Sequence, residues 1–522
     1  MPEGREILRA TGVVAASTFL SRVLGLLRDV VISGVFGAGT ATDAFFVAFA
    51  IPNFFRRLLG EGSLTVSFVP VYTHYLTKEP EEAKRVIHVV ATAVLLLLLS
   101  LTALGVLLAP WLVKIQVFGW RGKEALPLAV TLTRLCFPYL FFISLVALSM
   151  GVLNAHGHFA APALAPCLLN LSLIASALLL APHLTPPIAS LAWGVLLGGV
   201  LQLLLQAPFL RAKGVTFRVD LDLRHPALKE IGKLMVPMVA GIAVFQINQV
   251  VNRFLASFLP HGSISYLYYA DRLFELPLGL FAVAMGVAVL PSFSRHVALG
   301  RWEDLGKDVN LSVRAILFLS IPAMVGIIVL RVPLIHLFFQ HGAFGPRDTL
   351  LTAQALLCYS LSIWAYGGIQ VMSRAFYALR DAKTPVKVAA GAAVLNLGFG
   401  LLLMHPLKHA GLALANSLSA IFNSLLLFYL LRGRIEGIGR GLRKALLKVG
   451  LSSLAMLPWL LLWRDRQDWI SPGGLLIKGM SMGIMVGGGA AIFFGASFLL
   501  RSEELRTLLA GARPRPPATP QG

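Results

Sequence analysis

Residues 17–72 read STFLSRVLGLLRDVVISGVFGAGTATDAFFVAFAIPNFFRRLLGEGSLTVSFVPVY. They contain most of two apolar segments, predicted at 9–32 and 42–71, and each is longer than the roughly 20 residues that a helix needs to cross a bilayer. Both segments also carry arginine and carboxylate side chains. Charges inside membrane spans are costly and mark functional positions. The stretch therefore predicts a membrane protein whose function depends on charged groups within the membrane.

The rest of the chain has the same character. Of its 522 residues, 57% are hydrophobic and 13% are charged, whereas a soluble domain has roughly 25% charged residues. Further spans are predicted at 87–112, 127–153, 160–181, 187–210, 233–258, 265–294, 308–335, 348–373, 385–404, 409–431, 443–463 and 475–500. The sequence thus predicts an all-α polytopic membrane protein with about 14 transmembrane helices.

The formal charge of +21 would suggest nucleic-acid binding in a soluble protein. Here the distribution of the basic residues argues against that interpretation. With the N-terminus inside, the inner segments hold about 28 of the 45 Lys and Arg residues and the outer loops hold about nine. Such an excess is typical of cytoplasmic loops, so the sequence predicts a multi-pass protein with both termini in the cytoplasm and no nucleic-acid partner.

An internal repeat indicates two similar halves. ASLAWGVLLGGVLQLLLQAPFLR at 189–211 aligns without gaps to AGLALANSLSAIFNSLLLFYLLR at 410–432, and polar Gln202 falls opposite Asn423. The offset spans six predicted helices, which gives parallel repeats related by a pseudo-two-fold axis along the membrane normal. The predicted domains are an N-lobe at 1–225 with helices 1–6, a C-lobe at 226–435 with helices 7–12, helices 13–14 at 436–505, and a disordered cytoplasmic tail at 506–522.

Three predicted helices carry arginines at middle or outer depth. A rise of about 1.5 Å per residue puts Arg22 and Arg56 near the middle of the membrane and Arg28 at its outer edge. Arg272 lies about 10 Å below the outer end of helix 8. Arginine stays charged when desolvated and binds phosphate oxygens through a planar fork. Several arginines without an equal number of carboxylates predict a cavity for an anion such as a diphosphate.

Neighbouring polar residues leave alternatives open. Arg57 and Glu61 have the spacing of an intrahelical ion pair. Asp29 is expected either to pair with an arginine on another helix or to close an outer gate together with Asp43. Helix 7 contributes amides that are expected to line the cavity, namely Gln246, Asn248 and Asn252.

The sequence contains no catalytic or metal-binding pattern of the HExxH or GxSxG kind, so an enzyme is not predicted. Asp220 and Asp222 form a DxD pair in a basic inner loop, which is interpreted as a solvated charge pair. The three cysteines lie in apolar segments and are interpreted as packing residues.

The 17–72 stretch closely resembles the N-terminal signature of the MurJ lipid II flippases. Two further stretches resemble the same family, YYADRLFELPLGLFAVAMGVAVLPSFSR at 268–295 and RAFYALRDAKTPVK at 374–387, and the likeness extends over essentially the whole chain. The resemblance implies the multidrug/oligosaccharidyl-lipid/polysaccharide exporter fold. It also implies a location in the bacterial inner membrane and a role in peptidoglycan biosynthesis.

The family's functional positions transfer residue by residue. The resemblance implies that Arg22, Arg28, Arg56 and Arg272 bind the diphosphate of lipid II, and that Asp29, Asp43 and Glu61 are functional carboxylates. It further implies that the last two helices form a groove for the undecaprenyl tail. Transport by alternating access of the two lobes around a cationic central cavity is then expected.

Some expectations concern partners and energy. The expected partners are lipid II or a related polyprenyl-diphosphate lipid, together with membrane lipids, and the chain is expected to be a monomer without a cofactor. A sodium site would be expected to need a carboxylate where helix 7 offers only amides, so sodium coupling and membrane-potential coupling both stay open. The alternative functions are a flippase for another polyprenyl-linked saccharide and a multidrug exporter.

Overall fold

A computed structural model describes residues 2–59, 63–279, 283–471 and 473–511. All regular structure in these ranges is helical, with no strand. The first nine α-helices are α1 Pro2–Phe36, α2 Thr40–Leu59, α3 Thr65–Lys78, α4 Pro80–Gln116, α5 Ala125–Cys136, α6 Tyr139–Ala155, α7 Ala160–Leu179, α8 Ala189–Ala212 and α9 Pro226–Ala256. The others are α10 Ser263–Pro277, α11 Val283–Ala298, α12 Trp302–Phe339, α13 Pro346–Ser360, α14 Ile363–Ala378, α15 Lys383–Arg432, α16 Leu442–Ala455, α17 Leu457–Arg464, α18 Leu475–Leu499 and α19 Glu503–Gly511.

The all-α polytopic class is confirmed. Among the described residues, nine helical segments are long and apolar enough to cross a membrane. Their hydropathy comes from runs of Leu, Val and Ala. The helical conformation pairs the backbone N–H and C=O groups within each segment, as lipid requires. The total of about 14 transmembrane helices stays a prediction.

Several predicted spans are divided, and one pair is joined. The predicted span 127–153 corresponds to α5 and α6, which meet at Phe137 and Pro138 because proline has no N–H to continue the helical ladder. Conversely, the predicted spans 385–404 and 409–431 form α15, which is interrupted at Lys408 with φ 51° and ψ −130°.

One compact unit consists of Met1–Ser265 together with His341–Phe344. One of its apolar clusters joins α3, α4, α6 and α9. Ala227 and Ile231 of α9 are buried in the same cluster as Phe68 of α3. Helix α9, which the repeat assigned to the second lobe, therefore packs with the first part of the chain. The predicted lobe boundary at residue 225 describes the repeat and stays a prediction.

The second compact unit consists of Tyr266–Gln340 and Gly345–Gly522. One of its clusters packs α16, α17 and α18 against α12, through buried Phe318, Val449, Leu460 and Phe493. The small residues of α18 permit this packing. A Cβ added to Gly488 would lie 2.3 Å from the Trp459 ring. The glycine-rich part of α18 thus receives an aromatic side chain of α17.

The carboxylate of Asp381 contacts both ends of the long helix α15. Asp381 accepts hydrogen bonds from the Thr384 hydroxyl and backbone N–H and pairs with Arg434. These contacts, the Thr384 hydroxyl first, lower the pKa of Asp381 to about 2, so the start of α15 stays capped at all physiological pH values.

The C-terminal helix α19 is held by an ion pair to α12. Arg314 Nε lies 2.6 Å from Glu504 Oε1, and Arg314 Nη2 lies 2.6 Å from Glu503 Oε2. The Glu504 side chain is 1% exposed. The predicted tail began at residue 506, within α19, and its residues 512–522 lie outside the described ranges.

Candidate functional site

Arg28 lies in the apolar helix α1 and bonds both Asp29 and Asn170. Its Nη2 and Nε atoms donate to Asp29 Oδ1 at 2.7 and 3.0 Å, and its Nη1 donates to Asn170 Oδ1 of α7 at 3.0 Å. Asn170 Nδ2 donates in turn to the Ser21 carbonyl at 3.1 Å. The Asp29 side chain is 1% exposed, so its negative charge is buried beside the guanidinium that neutralises it. Asp29 therefore pairs with the arginine next to it on its own helix.

Arg22 lies six residues earlier on the same helix in a different environment. Its side chain is exposed. Within the described ranges it forms no hydrogen bond or ion pair. Arg22 is thus a cation on an apolar helix that is available to an anionic ligand.

Arg56 and Arg57 lie in the last turn of α2. Arg56 Nε donates to Asn53 Oδ1, one turn earlier, at 2.7 Å, which orients the guanidinium through a neutral partner. Arg57 is exposed. The predicted partner of Arg57, Glu61, lies outside the described residues, so their ion pair stays a prediction.

Arg272 belongs to the second compact unit. Its Nη1 donates to Glu275 Oε2 at 3.0 Å, three residues along α10, and its guanidinium lies 4.6 Å from the centre of the Tyr268 ring. The Arg272 side chain is 35% exposed and that of Glu275 is 56% exposed. Exposed pairs of this kind are weak, about 0–1 kcal/mol. The Glu275 carboxylate therefore holds Arg272 only weakly.

Asp43 is buried at the start of α2 and accepts three hydrogen bonds. Its Oδ2 accepts from the Gly262 N–H at 2.7 Å, and its Oδ1 accepts from the Ser265 N–H at 2.8 Å and the Ser265 hydroxyl at 2.5 Å. The side chain is 2% exposed. In this conformation Asp43 anchors the segment 262–265.

Two glycines permit a close backbone approach beside this anchor. The Ala343 N–H donates to the Gly34 carbonyl of α1 at 2.8 Å. Gly342 has φ +54°, and a Cβ there would lie 2.2 Å from the Gly34 oxygen; Gly37 has φ +66°, and its Cβ would lie 2.6 Å from the Ala343 oxygen. Side chains at either position would collide with backbone, which cannot move aside as a flexible side chain can.

We expect Gly342→Ala and Gly37→Ala each to lower the apparent melting temperature and to weaken the contact between 341–344 and α1. The cost should be about 1–3 kcal/mol per substitution because both strain and a collision are introduced. Thermal unfolding in detergent, followed by tryptophan fluorescence, measures this. Gly122→Ala is the matched control, since Gly122 has φ +75° with nothing within 4 Å of the added Cβ. Equal losses in all three variants would contradict the role of the close approach.

The predicted polar lining of α9 has mixed exposure. Gln246 is buried and Asn252 is half-buried, as is Asn248. The neighbouring Arg253 donates through Nη1 to Gln116 Oε1 of α4 at 3.4 Å. Helix α9 therefore places several amides and one arginine inside the first unit.

Some residues of these networks were not predicted from the sequence. Asn170 bridges Arg28 to the α1 backbone, Asn53 orients Arg56, and the Tyr268 ring contacts Arg272. Asn170 had a signal in the sequence, because it is an isolated amide in the apolar stretch APALAPCLLNLSLIASALL. Nothing in the sequence indicated that Asn170 would bond Arg28.

The DxD pair has a structural role in the described loop. Arg85 of α4 lies 3.3 Å from Asp220 and 3.0 Å from Asp222. A hydrogen bond from the Asp222 N–H, together with Arg85, holds the pKa of Asp220 below its usual range. These carboxylates fix the loop to α4, and the charge-pair interpretation fits this geometry.

The chain is similar to known proteins over nearly its whole length. The family model "MurJ: Lipid II flippase MurJ" matches residues 32–477. The "Probable lipid II flippase MurJ" of Vibrio cholerae is 36% identical over 97% of this chain and 98% of that protein. The "Lipid II flippase MurJ" of Burkholderia cenocepacia is 38% identical over 82% of this chain and 84% of that protein.

Solved structures give the same result for the fold. "Lipid II flippase MurJ, inward closed conformation" matches with a TM-score of 0.76 and 29% identity, covering 95% of this chain and 99% of that one. An inward-facing multidrug resistance MATE family transporter of the MOP superfamily matches with a TM-score of 0.66 and 18% identity, covering 82% of this chain and 98% of that one. At 18% identity the second match establishes the fold alone.

Proposed function

Because the chain belongs to the lipid II flippase MurJ family, we propose that it moves lipid II from the cytoplasmic to the periplasmic leaflet of the bacterial inner membrane. The observation that carries this proposal is the match over 97% of the chain to a protein of that name. Lipid II supplies an undecaprenyl tail, a diphosphate and a sugar–peptide head group. The diphosphate is the part that arginines within the membrane are suited to bind.

The proposed mechanism is alternating access around a cationic cavity. Arg22, Arg56 and Arg272 replace the water around the diphosphate while the tail remains in lipid. Arg22 has no carboxylate partner in the described ranges, Asn53 orients the Arg56 guanidinium, and Arg272 bonds the exposed Glu275. The exposed Arg22 supports this assignment most directly.

Arg28 has a different place in this mechanism. Its pair with the buried Asp29 and its bond to Asn170 tie α1 to α7 in the present conformation. We propose that the diphosphate competes with Asp29 for Arg28 during transport. Exchange of these partners would couple substrate binding to a change in α1.

The remaining predicted residues serve the gates and the cavity wall. Asp43 and the Arg57–Glu61 pair act at gates, and Gln246, Asn248 and Asn252 provide neutral hydrogen-bonding groups along the cavity. Membrane potential acts on moving arginines, at about 2.3 kcal/mol per charge and 100 mV for a full crossing. We favour the potential over sodium because α9 offers amides where a sodium site would need a carboxylate.

A translocation assay tests the substrate. The protein is reconstituted in liposomes that contain either lipid II or a peptide-free undecaprenyl-diphosphate saccharide, and the fraction reaching the other leaflet is measured over time. We expect rapid movement of lipid II and much slower movement of the peptide-free lipid, and rescue of cells depleted of their own lipid II flippase.

The two possible failures have different meanings. Equal rates for both lipids would favour the alternative, a general flippase for polyprenyl-diphosphate saccharides. Movement of neither lipid above the rate in protein-free liposomes would refute the flippase proposal. A multidrug exporter of cations is disfavoured, because cationic drugs would be repelled by the arginines named above.

A further inference from the structure

A cavity of about 590 Å³ lies between the end of α15 and the beginning of α16, in the second compact unit. Arg432 and Phe428 of α15 form one wall, and Arg443 and Leu447 of α16 form the other. Arg440, in the loop joining the two helices, completes the lining. The cavity therefore combines three guanidinium groups with apolar side chains.

Among the described residues, the three arginines have no acidic partner. Each is exposed, and within the described part of the chain none of them forms an ion pair. Two nearby arginines differ in this respect, since Arg434 pairs with Asp381 and Arg314 pairs with the carboxylates of α19. The segment 432–448 contains six basic residues and one acidic residue. Its uncompensated positive charge is thus concentrated at the cavity.

The loop that carries Arg440 is held in place by one side chain. Asn310 of α12 donates through Nδ2 to the Gly437 carbonyl at 2.7 Å and accepts from the Gly439 N–H at 2.7 Å. Gly437 and Gly439 have φ +81° and +88°, which other residues rarely adopt. The cavity wall is therefore a defined loop, fixed to a long helix by two hydrogen bonds.

An apolar surface extends from the cavity along both helices. Leu447, Leu451 and Leu454 are 59%, 56% and 57% exposed, and their spacing puts them on one face of α16. Leu425 of α15 is 54% exposed as well. In a membrane such a surface contacts acyl chains. The arginines lie at the end of this surface, where a lipid head group would be.

We propose that this cavity binds an anionic glycerophospholipid of the cytoplasmic leaflet. The phosphodiester lies among Arg432, Arg440 and Arg443, the beginning of α16 adds its positive helix end, and an acyl chain follows the Leu447–Leu454 face. The basic loop is on the side predicted to be cytoplasmic, where bilayers carry anionic head groups. The apolar surface favours a lipid over free phosphate.

This lipid is a bound component of the protein and not its cargo. One wall of the cavity comes from α15 and the other from α16, which is also one of the two helices expected to hold the undecaprenyl tail. Competition with undecaprenyl diphosphate therefore has to distinguish a bound lipid from cargo, and the lipid proposal can fail while the flippase proposal stands.

Native mass spectrometry of delipidated protein in non-ionic detergent tests the site. The probes are dioleoyl phosphatidylglycerol, dioleoyl phosphatidylcholine with the same chains, and inorganic phosphate. We expect phosphatidylglycerol to bind most tightly, and its affinity to fall about tenfold or more in Arg432→Gln/Arg440→Gln/Arg443→Gln, which loses three charged donors. Lys444→Gln removes one positive charge from an exposed residue beside Arg443, as each single Arg→Gln substitution does, and it should leave the affinity unchanged.

Several outcomes would overturn the proposal. These are wild-type affinity in the triple variant, equal binding of the two lipids, or binding of inorganic phosphate as tight as that of phosphatidylglycerol. Displacement of phosphatidylglycerol by equimolar undecaprenyl diphosphate would assign the site to cargo instead. If the triple variant does not fold, the three single Arg→Gln variants decide, since each should bind phosphatidylglycerol more weakly than Lys444→Gln does.

Discussion

Alanine at Arg22, Arg56 and Arg272 together is expected to slow lipid II translocation by about a thousandfold or more. A hydrogen bond to a charged group contributes about 1.5–3 kcal/mol, and about 1.4 kcal/mol corresponds to a factor of ten, so each arginine that binds the diphosphate should contribute roughly tenfold or more. The triple variant should still fold, because Arg22 is exposed, Arg56 bonds the neutral amide of Asn53 and Arg272 bonds the exposed Glu275. The liposome assay with lipid II measures the effect.

Arg28 is left out of this variant for a structural reason. Its removal would take away the cation 2.7 Å from the buried Asp29 carboxylate, and removing one partner of a buried ion pair is strongly destabilising, by about 3–5 kcal/mol. Loss of activity in Arg28→Ala would therefore not separate binding from folding. The single variants at the other three positions avoid this ambiguity.

Arg224→Ala is the matched control, because Arg224 is exposed in the loop before α9. It should translocate lipid II at the wild-type rate. Lysine at the three sites should restore only part of the activity, since an ammonium group cannot bind two phosphate oxygens in a planar fork. Undiminished activity of the triple alanine variant would refute the anion site.

Replacement of Asp43 by alanine is expected to destabilise the protein severely. Three donors in the segment 262–265 would lose their acceptor, and each unsatisfied buried donor costs about 1–3 kcal/mol, which gives about 3–9 kcal/mol in all. A marginally stable protein loses most of its folded population at that cost. The measurement is the apparent melting temperature in detergent, together with the yield of monodisperse protein.

A graded series separates this anchoring role from a gating role. Asp43→Asn keeps one acceptor oxygen and should lose less stability than Asp43→Ala. Ser265→Ala removes one bond and should lose about 1 kcal/mol. Wild-type melting of Asp43→Ala combined with loss of transport would contradict the anchor and favour the gate, in which the charge itself is needed.

Much of the fold followed from the sequence. The long apolar runs determined the all-α polytopic class, because lipid admits only helices or closed barrels with every backbone group bonded. The 17–72 stretch identified the family. The divisions within single predicted spans were harder to predict, since proline is common in membrane helices. The interruption of α15 at Lys408 falls between the predicted spans 385–404 and 409–431, two residues after Pro406.

For the candidate site, too, some features followed from the sequence and others did not. The sequence by itself determined which residues are charged within apolar helices, because that requires only composition and the rise of a helix. Only the tertiary structure decided their partners. Arg28 meets Asn170, 142 residues away, and Asp43 meets Ser265, 222 residues away. Such contacts depend on how helices pack against one another, and side-chain packing over that separation leaves no periodic pattern in one sequence.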